Sequence, residues 1–292
     1  MKIALVQQHA TPDKASNLAR GLAALEDAAR AGAEVVAFAE LAFEPFYPQQ
    51  VASGDVRALA ESVPGPTTDA IAAAARRLGL VVVFNLFERA GDLTYDCSPV
   101  FDADGTLLGR TRMIHITDFA CFHERGYYAP GDTGAPVYST RAGRIGVAIC
   151  YDRHFPEYMR ALALGGADLI VIPQAGAVDE WPEGLFEGEM RTAALQNGYF
   201  IALCNRVGRE ARVTFAGESF ICGPDGVVRA RAGKLRDEIL VADIDLGENA
   251  SSLARRQFLR ERRPEVYTSL IRAGRPSSAG PSSGSSESAA DT

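Results

Sequence analysis

Six short apolar runs alternate with segments of helical periodicity, and this alternation constrains the fold more than any other feature of the sequence. The runs are 2–8, 35–39, 80–87, 144–150, 168–173 and 199–204. Each is apolar on successive residues, as strands buried on both faces are. Between the first two, Leu18, Leu22, Leu25 and Ala29 recur at helical spacing, and Gly32 ends the helix. Further helices are predicted from Thr67 to Leu78, from Pro156 to about Leu164, and from Pro182 to Gln196. Hairpins are expected over Tyr95 to His115, turning at Asp102-Ala103-Asp104-Gly105, and around Pro224-Asp225-Gly226. The pattern predicts an α/β fold with mixed sheets.

No linker divides the chain, so residues 1–270 are expected to form one domain. The Arg-rich stretch 252–270 reads as helical, a solvated or interface face rather than a nucleic-acid surface. Residues 271–292 are Ser, Gly, Ala and Pro without a large apolar group, and are expected to be a disordered tail.

A net charge of −7 argues against a general nucleic-acid or anionic-membrane binder. No run of about 18 apolar residues exists to span a bilayer. The apolar start, Met1 to Val6, is too brief for a signal peptide. The five cysteines (Cys97, Cys121, Cys150, Cys204 and Cys222) are odd in number and contain no CxxC pair, which disfavours a disulfide framework or zinc ribbon. Cys121 and His123 with His115 match no standard metal spacing, and no metal is expected. A reducing cytoplasm is the expected setting. There one cysteine can be a nucleophile while the others are small buried groups.

Two apolar runs end in reactive residues: Val36-Ala37-Phe38-Ala39-Glu40 and Gly146-Val147-Ala148-Ile149-Cys150-Tyr151-Asp152. A carboxylate close to a thiol can act as its general base and generate the reacting thiolate.

The segment from Gly143-Arg144 through Cys150-Tyr151-Asp152 to Phe155-Pro156-Glu157 resembles the cysteine motif of the nitrilase superfamily, the carbon–nitrogen hydrolases. Its form is most like that of the carbamoyl-amide hydrolases. Further matches follow in family order: Val36 to Glu40, Tyr128-Ala129-Pro130-Gly131-Asp132, Trp181, Arg191 to Asn197, Cys204 to Gly208, and the hairpin with Gly217, Ser219 and Pro224-Asp225-Gly226. The resemblance covers roughly residues 2–265. It implies a four-layer α-β-β-α sandwich with two mixed sheets, paired across a helical face into homodimers or larger homo-oligomers. It implies a Glu–Lys–Cys triad without metal or organic cofactor. By this resemblance Glu40 is general base and acid, Cys150 the nucleophile, and Glu124 a second, positioning glutamate. The backbone N–H of Tyr151 would help bind an oxyanion.

The lysine departs from the pattern. Three of the 30 basic residues are lysines, Lys2, Lys14 and Lys234, and none lies in the relevant stretch, Gly109-Arg110-Thr111-Arg112-Met113-Ile114-His115-Ile116. The family's lysine position holds Met113. If Met113 faces the site along a strand, Arg112 and Ile114 face away, and Thr111 and His115 share its side. His115 and His154 are therefore candidate replacement donors, each with a structural role as the alternative. By family analogy, Gln174-Ala175-Gly176-Ala177 borders the pocket. It holds no arginine to clamp a carboxylate, which leaves neutral or cationic substrates open. Asp179, Glu180 and Glu183 around Trp181 could meet a cationic substrate or form a solvated acidic loop.

The expected activity is cysteine-dependent hydrolysis of a non-peptide C–N bond in a small amide or N-carbamoyl compound. The alternatives are a lysine-less enzyme with altered chemistry, such as acyl transfer or an unusual substrate, and a ligand-binding homologue. The expected partner is the small-molecule substrate, with neither nucleic acid nor membrane.

Overall fold

The computed structural model describes residues 1–268 and Leu270, so the expected tail at 271–292 lies outside the described residues. The elements of its first half are β1 (Lys2–Gln7), α1 (Lys14–Arg30), β2 (Val35–Phe38), α2 (Pro66–Leu78), β3 (Val81–Val83), β4 (Leu86–Ala90), β5 (Leu93–Phe101) and β6 (Leu107–Arg112). There follow β7 (Val137–Thr140), β8 (Gly143–Val147), α3 (Pro156–Leu164), β9 (Leu169–Gln174), α4 (Leu185–Asn197) and β10 (Phe200–Asn205). Short strands β11 (Val207–Arg209), β12 (Thr214–Ala216), β13 (Phe220–Cys222) and β14 (Val228–Arg231) precede β15 (Glu238–Asp243) and the single turn α5 (Glu248–Ser251). Asp13 caps α1, its carboxylate accepting from the N–H groups of Ala15 and Ser16 at 3.0 and 3.2 Å.

One sheet runs β15-β1-β2-β3-β5-β4, with β6 also on β5, and the other runs β14-β13-β10-β9-β8-β7. Each is mixed. Strands β1, β2 and β3 are parallel, as are β8, β9 and β10, while the outer strands pair antiparallel. Alternation explains the layering. Ile3 and Leu5 of β1 point into a core shared with Val147, Val171 and Ala202 of the second sheet. Their neighbours Ala4 and Val6 point the other way, onto Leu25 of α1 and Ile71 of α2. Ile170 and Ile172 of β9 likewise meet Leu162 of α3 and Met190 of α4. Both faces of both sheets are covered, and the result is the expected α-β-β-α sandwich. This explains why the central strands are apolar at successive positions.

Three boundaries differ from the sequence reading. The run 80–87 is two strands, because buried Asn85 interrupts it: its side chain accepts from Leu41 N at 2.7 Å and donates to Ser98 Oγ at 3.0 Å. The helix expected from Pro182 begins at Leu185, since Gly184 has a φ of 79°, outside the helical region. The stretch 252–270 is not one helix: a five-residue π-type turn, Ala254–Phe258, is followed by a 3-10 turn, Pro264–Val266. Pro264 lacks the N–H needed to continue a helix through that point. The first compact unit spans Met1–Arg260 and a second unit begins at Glu261. In the latter, Arg263 N donates to the Tyr267 hydroxyl at 3.2 Å.

Arg112 closes β6 and is 6% exposed. Its guanidinium donates to both oxygens of buried Glu88 at 2.7 Å and to Asp132 Oδ1 at 2.9 Å. Removing one partner of a buried pair strands the other. Arg112→Leu is expected to lower the unfolding free energy by about 3 kcal/mol, read from urea titration. A loss below about 0.5 kcal/mol would contradict a structural role for this pair.

Candidate active site

The two reactive chain segments meet at the ends of β2 and β8. Glu40 follows β2 at a sharp bend, where Leu41 has a φ of 43°. The bend is held from two sides. Arg206 Nη1 donates to Glu40 O at 2.8 Å, and Arg206 Nη2 to Glu44 O at 3.0 Å. Asn85 receives the Leu41 N–H. Cys150 is not the last residue of a strand as expected. It opens a 3-10 turn, Cys150–His154, with a φ of 41°. That is a left-handed conformation uncommon for a side-chain-bearing residue, and such conformations cluster at functional sites. Glu124 starts another short turn, Glu124–Gly126, inside the long loop after β6.

The three side chains converge. A carboxylate oxygen of Glu40, one of Glu124 and the sulfur of Cys150 all lie within 4.8 Å of one another. Glu40 and Glu124 are fully buried and Cys150 is 6% exposed. Thr117 N donates to Glu124 Oε2 at 3.2 Å, and Gln174 Nε2 lies 3.4 Å from the Cys150 sulfur. Gln174 is itself oriented by Arg153, whose Nε donates to Gln174 Oε1 at 2.9 Å.

A fourth member, Asp96 on β5, was missed in the sequence. It is fully buried beside Glu40, and Asn85 donates to it. Its main-chain carbonyl accepts from Met113 N at 2.9 Å. A signal was present: one carboxylate stands inside a strand whose residues from Thr94 to Phe101 are all buried. Met113 is fully buried and packs in the same apolar cluster as Cys150 and Tyr128. Its carbonyl accepts from Gly131 N at 2.8 Å. A side chain at Gly131 would put its Cβ 2.3 Å from Arg112 O, so the close approach of these two segments requires glycine.

The other candidate donors are engaged elsewhere. His115 Nδ1 lies 2.7 Å from Asp152 Oδ1, and its ring stacks on Phe155 at 3.5 Å between centroids. His154 Nδ1 lies 2.8 Å from Glu189 Oε1, with its ring 5.0 Å from that of Trp181. Tyr151 lies between the rings of His154 and Phe155. Trp181 is 37% exposed. It borders both a cavity of about 450 Å³ beside Arg153, His154 and Phe186 and a second, acidic one beside Asp179, Glu180 and Glu183. Glu40, Glu124 and Cys150 line neither.

Burial dominates the electrostatics. Desolvation, then the charge of Glu124, pushes the Glu40 carboxyl up to about 8, against the opposing pull of Cys150, Asp96 and Arg206. Asp96 and Glu124 are also raised well above the carboxylate range, first by burial and then by each other's neighbourhood of acids. Burial and the charges of Glu40 and Glu124 push the Cys150 thiol up, opposed by the Ala175 backbone N–H. In the empty site the sulfur is therefore a thiol at neutral pH.

These shifts link to stability. A carboxyl raised in the folded state binds its proton there more tightly than in the unfolded chain. Its contribution is full below about pH 4.5 and is lost as pH rises through about 8. Wild-type melting temperature is thus expected to fall between pH 5 and 8.5. Glu40→Gln, with no proton to lose, should melt higher than wild type at pH 8.5 by about 4 °C or more. Equal melting temperatures there would contradict the raised Glu40.

With this geometry established, comparison with known proteins identifies the class. The carbon-nitrogen hydrolase family profile matches residues 2–252, and the chain belongs to that family, within the nitrilase superfamily. It is an enzyme of the amidase and N-carbamoyl hydrolase type. The chain is 35% identical over 283 residues to the N-carbamoylputrescine amidase of Solanum lycopersicum, covering 92% of this chain and 94% of that one. The crystal structure of a carbon-nitrogen hydrolase from Helicobacter pylori G27 superposes with a TM-score of 0.87 at 29% identity, over 93% of this chain and 98% of that one. An amidase from Nesterenkonia sp. AN1, solved with acrylamide added covalently at its active-site cysteine, superposes with a TM-score of 0.78 at 26% identity, over 92% and 99%.

Proposed function

We propose that this enzyme cleaves the C–N bond of a small amide or N-carbamoyl compound through a covalent intermediate on Cys150. The observation that carries the reading is the convergence of Glu40, Glu124 and the Cys150 sulfur within 4.8 Å. Glu40 takes the thiol proton, and the sulfur attacks the carbonyl carbon. Glu40 returns the proton to the departing nitrogen, and the C–N bond breaks. A water then gives its proton to Glu40 and adds to the thioester, and the acid product leaves. Splitting one displacement into two lowers each barrier. Glu124 orients Glu40 and the substrate. The Gln174 amide and the backbone N–H groups of Tyr151 and Ala175 are the donors for a developing oxyanion. The similarity to an N-carbamoylputrescine amidase supports a carbamoyl or amide substrate. The amidase modified at its active-site cysteine supports the nucleophile.

The test is ammonia release from a panel of linear amides and N-carbamoyl amines, together with the intact mass of the protein. Turnover with a transient adduct on Cys150 is expected. No turnover and no adduct with any member would contradict the reading.

A further inference from the structure

The cluster around Cys150 has acceptors and negative charge but no cation of its own. Among the described residues, Glu40 Oε1 and Oε2, Asp96 Oδ2 and Glu124 Oε1 are buried without a hydrogen-bond partner. The Tyr128 hydroxyl, also buried beside these acids, has none either. The nearby basic groups are bound elsewhere. Arg206 pairs with Glu210, Arg153 with Glu189, and Lys14 with Glu44 and Glu61. Met113 stands at the family's lysine position.

Attack on a neutral amide or urea creates an oxyanion, which three adjacent carboxyls disfavour and no cation offsets. An amidinium or guanidinium carbon reverses the requirement. It arrives positively charged, attack by a thiolate neutralises it, and no oxyanion forms in the first step. Its N–H groups form a planar fork that matches carboxylate oxygens, and a guanidinium offers up to five of them. The four orphaned oxygens are the acceptors such a fork needs. Its charge also favours the thiolate that the empty site disfavours.

We propose that this chain hydrolyses an amidinium or guanidinium compound at Cys150, with the carboxylates of Glu40, Asp96 and Glu124 gripping the cationic group. The proposal rests on the roles of Cys150 and Glu40 given above and adds a substrate class. The thiol proton passes to Glu40, the S–C bond forms, and the substrate's positive charge is cancelled. Glu40 then protonates one nitrogen, its C–N bond breaks, and ammonia leaves a cationic amidino thioether on Cys150. Water gives a proton to Glu40 as its oxygen adds to that carbon. The S–C bond breaks, the hydroxyl proton passes to sulfur, and a neutral urea or amide departs. The proton left on Glu40 leaves with ammonia as ammonium.

The test compares two alkylating probes of matched size, chloroacetamidine (cationic) and chloroacetamide (neutral). Labelling of Cys150 is followed by mass spectrometry, with each rate divided by the probe's rate with glutathione. Wild type is expected to favour the amidine by about tenfold or more, the equivalent of 1.4 kcal/mol. Asp96→Asn should shrink that ratio and Met113→Lys should invert it. In parallel, butylguanidine should release ammonia and yield butylurea faster than wild type consumes butylurea or pentanamide. Equal or reversed probe ratios, with butylurea or pentanamide turned over, overturn the cationic substrate class and leave the Cys150 mechanism standing. Neither labelling nor any turnover overturns both. The decisive ratio is measured on wild type, so a variant that fails to fold does not affect it.

Discussion

Cys150→Ala is expected to abolish turnover, by at least about 10⁴-fold in kcat, while the protein stays folded. Cys150 is the one cysteine placed against a buried carboxyl pair: its sulfur, Glu40 and Glu124 lie within 4.8 Å. Removing the sulfur removes the covalent route, because Glu40 alone can only direct a water at the unactivated substrate. The contrast with the other buried thiols makes the expectation specific. Cys204 donates to Val6 O at 3.3 Å and Cys222 to Met190 O at 3.8 Å, both contacts of packed secondary structure. Cys204→Ala and Cys222→Ala should cost stability and leave kcat within about threefold. Their effect is the loss of one small buried group. Assays of ammonia release, with melting curves for each variant, separate the two outcomes. A Cys150→Ala protein that retains a tenth of wild-type turnover would remove the thiol from the mechanism.

Met113→Lys is expected to have the second largest effect, and to act in opposite directions on two substrate classes. Methionine and lysine are both long and unbranched, so the substitution adds a charge with little change of shape. An ammonium there would have Asp96, Glu40 and Glu124 as partners, which makes a buried cation tolerable. It would pull the Cys150 thiol and the Glu40 carboxyl down toward neutral pH, since both are raised partly by uncompensated negative charge. It would also face the developing oxyanion of a neutral substrate. Turnover of butylurea or pentanamide should rise by about 10²–10³, the worth of a well-placed oxyanion donor. Turnover of butylguanidine should fall, because two cations would compete for the same carboxylates. The pH at half-maximal rate should move down in the variant. An unchanged pH profile and unchanged ratio of the two substrates would show that Met113 lies outside the electrostatic reach of the sulfur.

The sandwich was legible in the sequence because burial on both faces leaves an unusual mark. Strands such as Leu169–Gln174 are apolar at successive positions, and helical spacings separate them. The catalytic segments were legible because Glu40 and Cys150 end such runs. Less visible were features set by tertiary contact. Asn85 breaks an apolar run because its amide serves Leu41 and Ser98 across the fold, and no local propensity reveals that. Asp96 sits in the middle of a buried strand, where only the convergence of three chain segments shows that it belongs with Glu40. The two histidines were plausible donors by position alone. Their actual partners, Asp152 and Glu189, lie 37 and 35 residues away along the chain. The arginines 255, 256, 260, 262 and 263 suggested a helix, yet Arg255 instead binds the backbone: its Nε and Nη2 donate to Gly198 O and Ala167 O at 2.8 and 2.7 Å.

The covalent role of Cys150 is the centre of this account, and time-resolved mass spectrometry during turnover tests it most directly. Wild-type enzyme is mixed with its best substrate, quenched in acid at intervals, and the peptide containing Cys150 is weighed. The account predicts an adduct on that cysteine which builds up during turnover and disappears when substrate is exhausted. Steady turnover in enzyme whose Cys150 has been fully blocked by alkylation would contradict it.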